Sequence, residues 1–142
     1  MIVVEARQHT TATPERLWDV LTTHEQMPAW FRPVRDVILD PPGSVDRNGL
    51  GAVRHVLALG PVVVEEVIEW EPPRRYVYTL LRGAPIRNHR GEVTVQPSPK
   101  GAVATWTIQC EPMIPGSALV LRPVMRRLAH ALLASAVAHA ER

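Results

Sequence analysis

Between Val34 and Pro112 the chain is cut into six short segments rich in Val, Ile, Tyr and Thr, and every cut is a cluster of Pro or Gly. The segments are Val34–Leu39, Ala52–Leu59, Val62–Trp70, Tyr76–Leu81, Arg87–Val95 and Ala102–Glu111. Between them stand Pro41-Pro42-Gly43, Gly60-Pro61, Pro72-Pro73, Gly83-Ala84-Pro85 and Pro97-Ser98-Pro99-Lys100-Gly101. Proline fixes φ and removes a backbone donor, and glycine reaches positive φ, so these clusters turn the chain. With connections this short, sequential strands pair antiparallel. Ile2-Val3-Val4 opens a further extended segment that runs to about Thr10, giving seven strands.

Helical patterns flank the strands. Thr13-Pro14-Glu15 reads as an N-cap with proline at the first helical position, and Leu17, Val20 and Leu21 follow at helical spacing. Thr23 to Phe31 predicts a second short helix interrupted by Pro28. Ser117 to Ala140 predicts one long helix with Leu121, Met125, Leu128, Leu132 and Ala136 on one stripe, kinked or restarted at Pro123. The class is α+β: a curved seven-stranded antiparallel sheet around a long C-terminal helix, in one domain spanning residues 1–142. One helix cannot fill the concave side of such a sheet. Aromatic residues are only 5% of the chain, so the remaining volume is expected to stay open as a cavity.

Several function classes fall away. No apolar run approaches the ~20 residues that span a bilayer, and the start of the chain, broken by Glu5 and Arg7, does not read as a secretory leader. The expected location is cytoplasmic, without integral membrane association. A net charge of +2 with no basic run does not suit nucleic acid. The single cysteine, Cys110, excludes an intrachain disulfide framework. His24 with Glu25, or His55 with Glu65, lacks the spacing of a metal site, and Gly49-Leu50-Gly51 opens a strand where a phosphate loop would open a helix, so no metal or cofactor is expected. His130 and His139 are expected to be solvated.

The strings ATPERLWDVLT, MPAWFRPV, GLGAVRHV, VEEVIEWEPPRRYVYTL and GAVATWTIQCEP together sample nearly the whole chain and resemble the START-like superfamily, in its polyketide cyclase/dehydrase (SRPBCC) branch. The resemblance implies a helix-grip fold with a hydrophobic cavity between sheet and final helix, holding lipids, sterols, hormones or polyketides. In some members it also implies cyclisation, aromatisation or dehydration. RNHRG and EEVIEWEPPRRY resemble strands of the plant abscisic-acid receptors, a register in which Glu65, Tyr78, His89 and Trp106 point inward. Strand alternation then adds Val63, Val67, Leu80, Ile108 and Cys110 if no bulge intervenes. Arg35 is a weaker addition, and Met125 completes the candidate lining from the final helix. The receptors' gate is reduced here to Leu59-Gly60-Pro61 and their latch string is absent, so a hormone-receptor role is not carried over.

Each candidate has a chemical and a structural reading. His89 either takes and returns a proton or closes a hydrogen bond inside the sheet. Glu65 either has a raised pKa against the apolar cavity, as a general acid or partner of His89, or forms an ion pair with Arg54 or Arg90. Tyr78 either steadies an enolate or is core with a satisfied hydroxyl. Trp106 is a cavity wall under both readings; Trp18, Trp30 and Trp70 are packing anchors, and Cys110 is a buried inert thiol. The expected function is binding of a small hydrophobic ligand by a monomer or homodimer, with cyclase-like acid–base catalysis by His89, Glu65 and Tyr78 as the enzymatic version. The alternatives are a non-catalytic carrier or sensor, or a helper subunit with a vestigial cavity.

Overall fold

Alternation builds the first edge of the sheet. In β1 (Ile2–Thr10), Ile2, Val4 and Ala6 are buried and Val3, Glu5 and Arg7 are exposed, the period of two that a half-covered strand requires. The Thr13 hydroxyl then accepts from the Arg16 backbone N–H at 3.1 Å, and Pro14 fills the first position of α1 (Pro14–Thr22), where no donor is needed. Leu17, Trp18, Val20 and Leu21 face the core from that helix. The second helical segment is a 3-10 helix, His24–Ala29, with Pro28 inside it.

The computed structural model describes residues 1–142. After the 3-10 helix come β2 (Val34–Leu39), β3 (Val53–Ala58), β4 (Val63–Glu71), β5 (Arg75–Arg82), β6 (Ile86–Ser98), β7 (Gly101–Pro112) and α2 (Ala118–Ala140). The sheet is antiparallel with order β1-β7-β6-β5-β4-β3-β2. This is the helix-grip arrangement. The last two strands run longer than their composition suggests, because Ser98 still pairs with Gly101 and only Pro99-Lys100 forms the turn.

Since β1 and β2 are opposite edges, α1 and the 3-10 helix carry the chain across the concave side. α2 packs on β1, β7 and α1, and its buried positions are Met125, Ala129, Leu132, Leu133, Ala136, Val137 and Ala140. That face is rotated from the expected stripe. Leu121 and Leu128 border open space beside the β2–β5 half of the sheet, and Leu128 is 44% exposed. α2 runs through Pro123 without a restart. His130 is exposed as expected, but His139 is half-buried with its Nδ1 enclosed and unpartnered, because the final turn is held against the body of the protein by Arg16 and by Glu141 bonding Thr10.

Bulges set the phase of the inward side chains. Register shifts fall at Arg35 in β2, around Ile68 in β4, and at Asn88-His89 in β6, where Asn88 has φ 52°. Arg35, carried outward at its bulge, is exposed and does not reach the cavity.

Candidate functional site

Between the sheet and the N-terminal half of α2 lies a cavity of about 490 Å³. Of its 27 lining residues 21 are hydrophobic, so most of what it encloses must be apolar. Val124 and Leu128 line it while being 55% and 44% exposed, which marks where it reaches the surface. The other end is closed by aromatic packing: Trp18 and Trp70 lie 5.3 Å apart between ring centroids, and each is 6.0 Å from Tyr76.

A buried polar network is set into this apolar wall. Arg54, on β3, is 7% exposed. Its Nε donates to Glu65 Oε1 at 2.9 Å, and its Nη1 donates to His24 Nδ1 at 3.0 Å and, more weakly, to Tyr76 Oη at 3.5 Å. Its Cζ lies 4.4 Å from the centre of the Tyr78 ring. Burial alone would ease loss of the Arg54 proton, but Glu65 with the hydroxyls of Tyr76 and Tyr78 outweighs it and raises the pKa further. Arg54 is therefore a permanent cation, and Glu65 is its paired carboxylate. The contact with Arg54 is the ion pair that one of the two readings of Glu65 anticipates.

His24 is held as a neutral imidazole. With Nδ1 accepting from Arg54, Nε2–H donates to the Asn48 carbonyl at 3.1 Å. Burial first, and Arg54 second, hold its pKa well below the usual histidine value against the opposing Asn48 bond.

His89 is also neutral, for a different reason. The Leu80 backbone N–H donates to His89 Nδ1 at 3.0 Å and Thr79 Oγ1 donates to the His89 carbonyl at 2.8 Å, so this residue bridges β5 and β6 where their ladder has ended. The proton must then sit on Nε2, which has no protein acceptor on a side chain that borders the cavity. Burial lowers its pKa, with Glu65 opposing and Arg54 assisting. The only lone pair available to take a proton is already occupied. In this arrangement His89 presents an Nε2–H donor to the cavity while its Nδ1 accepts from Leu80.

Tyr78 lies flat across Gly91, where a Cβ would collide with its ring and hydroxyl. Its Oη accepts from Trp106 Nε1 at 2.9 Å, leaving the phenol proton without a protein acceptor. Burial first and Glu65 second raise its pKa, outweighing Arg54, so it stays a neutral donor.

Of the sequence-derived candidates, Val63, Glu65, Tyr78, Leu80, His89, Trp106, Ile108 and Met125 line the cavity. Val67 and Cys110 face the same side but lie in the packed core and not on the wall. Val67 is 1% exposed beside its bulge, and Cys110 is covered by Met125, whose Sδ lies 3.7 Å from its Sγ. Burial raises the Cys110 pKa, in keeping with an inert thiol. Trp18 and Trp70 are packing anchors, whereas Trp30 borders the cavity. Sequence reasoning missed Arg54 and His24 as wall residues. The signal for Arg54 was present: it falls in phase with Ala52, Val56 and Ala58, a charge inside an apolar stripe. Nothing local marked His24, which is placed by the 3-10 helix.

The family model described as polyketide cyclase / dehydrase and lipid transport matches residues 1–141. Among curated proteins none matches. A START superfamily protein from Mycobacterium smegmatis superposes with a TM-score of 0.83 at 12% identity, covering 98% of this chain and 97% of that one. The protein XoxI from Bacillus cereus gives 0.80 at 15% identity over 98% and 95%, and a protein from Thermus thermophilus gives 0.74 at 22% over 97% and 96%. At these identities the likeness establishes the fold alone.

Proposed function

The chain belongs to the polyketide cyclase/dehydrase and lipid-transport family, and on that premise we propose that it is a single ligand-binding domain that holds one small, hydrophobic, oxygenated molecule of lipid or polyketide type in its internal cavity. The observation that carries this reading is a largely apolar space of about 490 Å³ with one polar end, where donors of Arg54, His89 and Tyr78 lack protein acceptors. That volume is within the ~300–1,000 Å³ typical of small-molecule sites, which supports a ligand over a vestigial cavity. These donors face the open space of the cavity rather than being enclosed, and a bound molecule with its oxygen at that end can accept from them.

Native mass spectrometry of the purified protein, followed by denaturation and identification of what is released, tests this. A co-purifying hydrophobic molecule, or a rise in melting temperature with one, is the expected result. A protein that is empty and insensitive to a broad hydrophobic library defeats the reading.

A catalytic version has one observation in its favour. Glu65 Oε2 receives no hydrogen bond from the protein, so it can take a proton from a bound ligand while the Tyr78 hydroxyl donates to the oxygen that gains charge. A ligand recovered chemically unchanged after prolonged incubation decides for the carrier.

A further inference from the structure

The polar end of the cavity contains one full positive and one full negative charge, and they are bonded to each other. Arg54 and Glu65 meet at 2.9 Å with side-chain exposures of 8% and 15%. Among the donors left without a protein acceptor on the cavity wall are the Nη2 group of Arg54, the Nε2–H of His89 and the O–H of Tyr78. The first two groups sit around the third residue's ring, the Arg54 Cζ at 4.4 Å and the His89 ring centre at 5.4 Å from its centroid. Arg54 and His89 thus both lie beside Tyr78 on the cavity wall, and the one cation among them is already compensated.

We infer, building on the binding reading above, that the ligand presents a neutral hydrogen-bond acceptor at this point, the carbonyl of a ketone, ester or quinone, and not a carboxylate. A carbonyl oxygen satisfies donors without bringing charge into the apolar wall. A carboxylate brings a second anion beside Glu65 with only one cation to share, and it is stripped of water to enter. A hydrocarbon of the same shape fills the space but leaves the donors unpaired. The free Oε2 of Glu65 adds a place for a hydroxyl next to the carbonyl, so a hydroxyketone or enolised diketone fits better than a lone ketone.

Three probes of nearly equal shape separate these cases: 2-acetylnaphthalene, 2-isopropenylnaphthalene and 2-naphthoate, each titrated calorimetrically at pH 7.5. In the native protein the ketone is expected to bind at least about tenfold more tightly than either of the others, one bidentate or charge-assisted contact being worth about that factor. Glu65→Gln leaves Arg54 uncompensated, so in that variant the carboxylate is expected to gain on the ketone by at least about tenfold. A carboxylate that matches or beats the ketone in the native protein overturns the inference, as does a hydrocarbon that matches it. In both cases binding itself survives. An E65Q variant in which the carboxylate gains nothing on the ketone also overturns it. Failure of all three probes to bind overturns the cavity reading together with this one. The native ranking decides even if E65Q does not fold.

Discussion

Two arginine–glutamate clusters occupy opposite faces of one sheet, the inner on β3 and β4 and the outer on β4, β5 and β6. On the concave face Arg54 meets Glu65 at 2.9 Å, and the two side chains are 8% and 15% exposed. On the convex face Arg75 holds Glu92, Glu71 and Glu69 at 2.6, 2.7 and 2.8 Å, and Arg90 joins Glu69 at 3.0 Å, with exposures from 24% to 60%. Contact distances barely distinguish the two. Surroundings do: water screens the outer charges, so each pair contributes little and the network mainly lays its aliphatic stems over Val77, which is fully buried between Glu69 and Glu92 in register. The inner pair is largely buried against an apolar wall, so loss of one member leaves the other's charge poorly compensated.

The sharpest way to break that contrast is Arg54→Met. It strands Glu65 and unpairs His24, and should cost ~3–5 kcal/mol of unfolding free energy by denaturant titration. If the loss is no larger than that of an outer-face substitution, the inner pair is wetter than its burial indicates. Replacing both partners, Arg54→Met with Glu65→Leu, should recover most of the stability while weakening binding of carbonyl-bearing probes.

Next in size is Gly91→Ala. The added methyl meets the Tyr78 ring, and overpacking of this kind costs ~1–3 kcal/mol. It should also break the Trp106–Tyr78 hydrogen bond, visible as a change in tryptophan emission. Unchanged emission and stability would show that Tyr78 moves aside freely.

The third is a pH effect peculiar to the inner face. His24 and His89 have folded-state pKa values below the ordinary histidine value, so the unfolded chain takes up protons that the folded one refuses. Neither contributes above the unfolded value of about 6.5. As pH falls below it, stability drops by up to about 1.4 kcal/mol per pH unit for each group until its own folded pKa is reached. His24→Asn, which retains an acceptor for Arg54, should flatten the slope between pH 6.5 and 5. An identical slope in the variant would place the proton uptake elsewhere.

The smallest effect belongs outside. Glu92→Gln removes one of three partners of Arg75, and should change stability by no more than about 1 kcal/mol, less in high salt. A larger, salt-independent loss would mean that the outer network is as dry as the inner pair.

Much of this architecture was legible because each strand announces itself locally. Ile2–Thr10 alternates residue by residue, and the Pro and Gly clusters cut the chain where the backbone turns. The candidate wall was legible where alternation ran undisturbed, as from Trp106 to Ile108. It failed at particular residues: Arg35 at a bulge, Val67 and Cys110 where the core closes over them, and His24 where a 3-10 helix turns inward. The bond from the Leu80 N–H to His89 Nδ1 was not legible either, because the bulge at Asn88-His89 that sets it leaves no local signal.

The sequence by itself determined the order of elements and the antiparallel pairing of neighbours, because period, turn chemistry and capping act over a few residues, while its resemblance to a known family implied the helix-grip fold and the inward phase of Tyr78 and Trp106. Only the tertiary structure decided how α2 rotates on the sheet, that Arg54 pairs with Glu65 across strands and with His24 across 30 positions, and that the one cation at the polar end of the cavity is already paired. Protonation and charge compensation depend on which groups are brought within about 3 Å of each other, and that is a property of the assembled sheet.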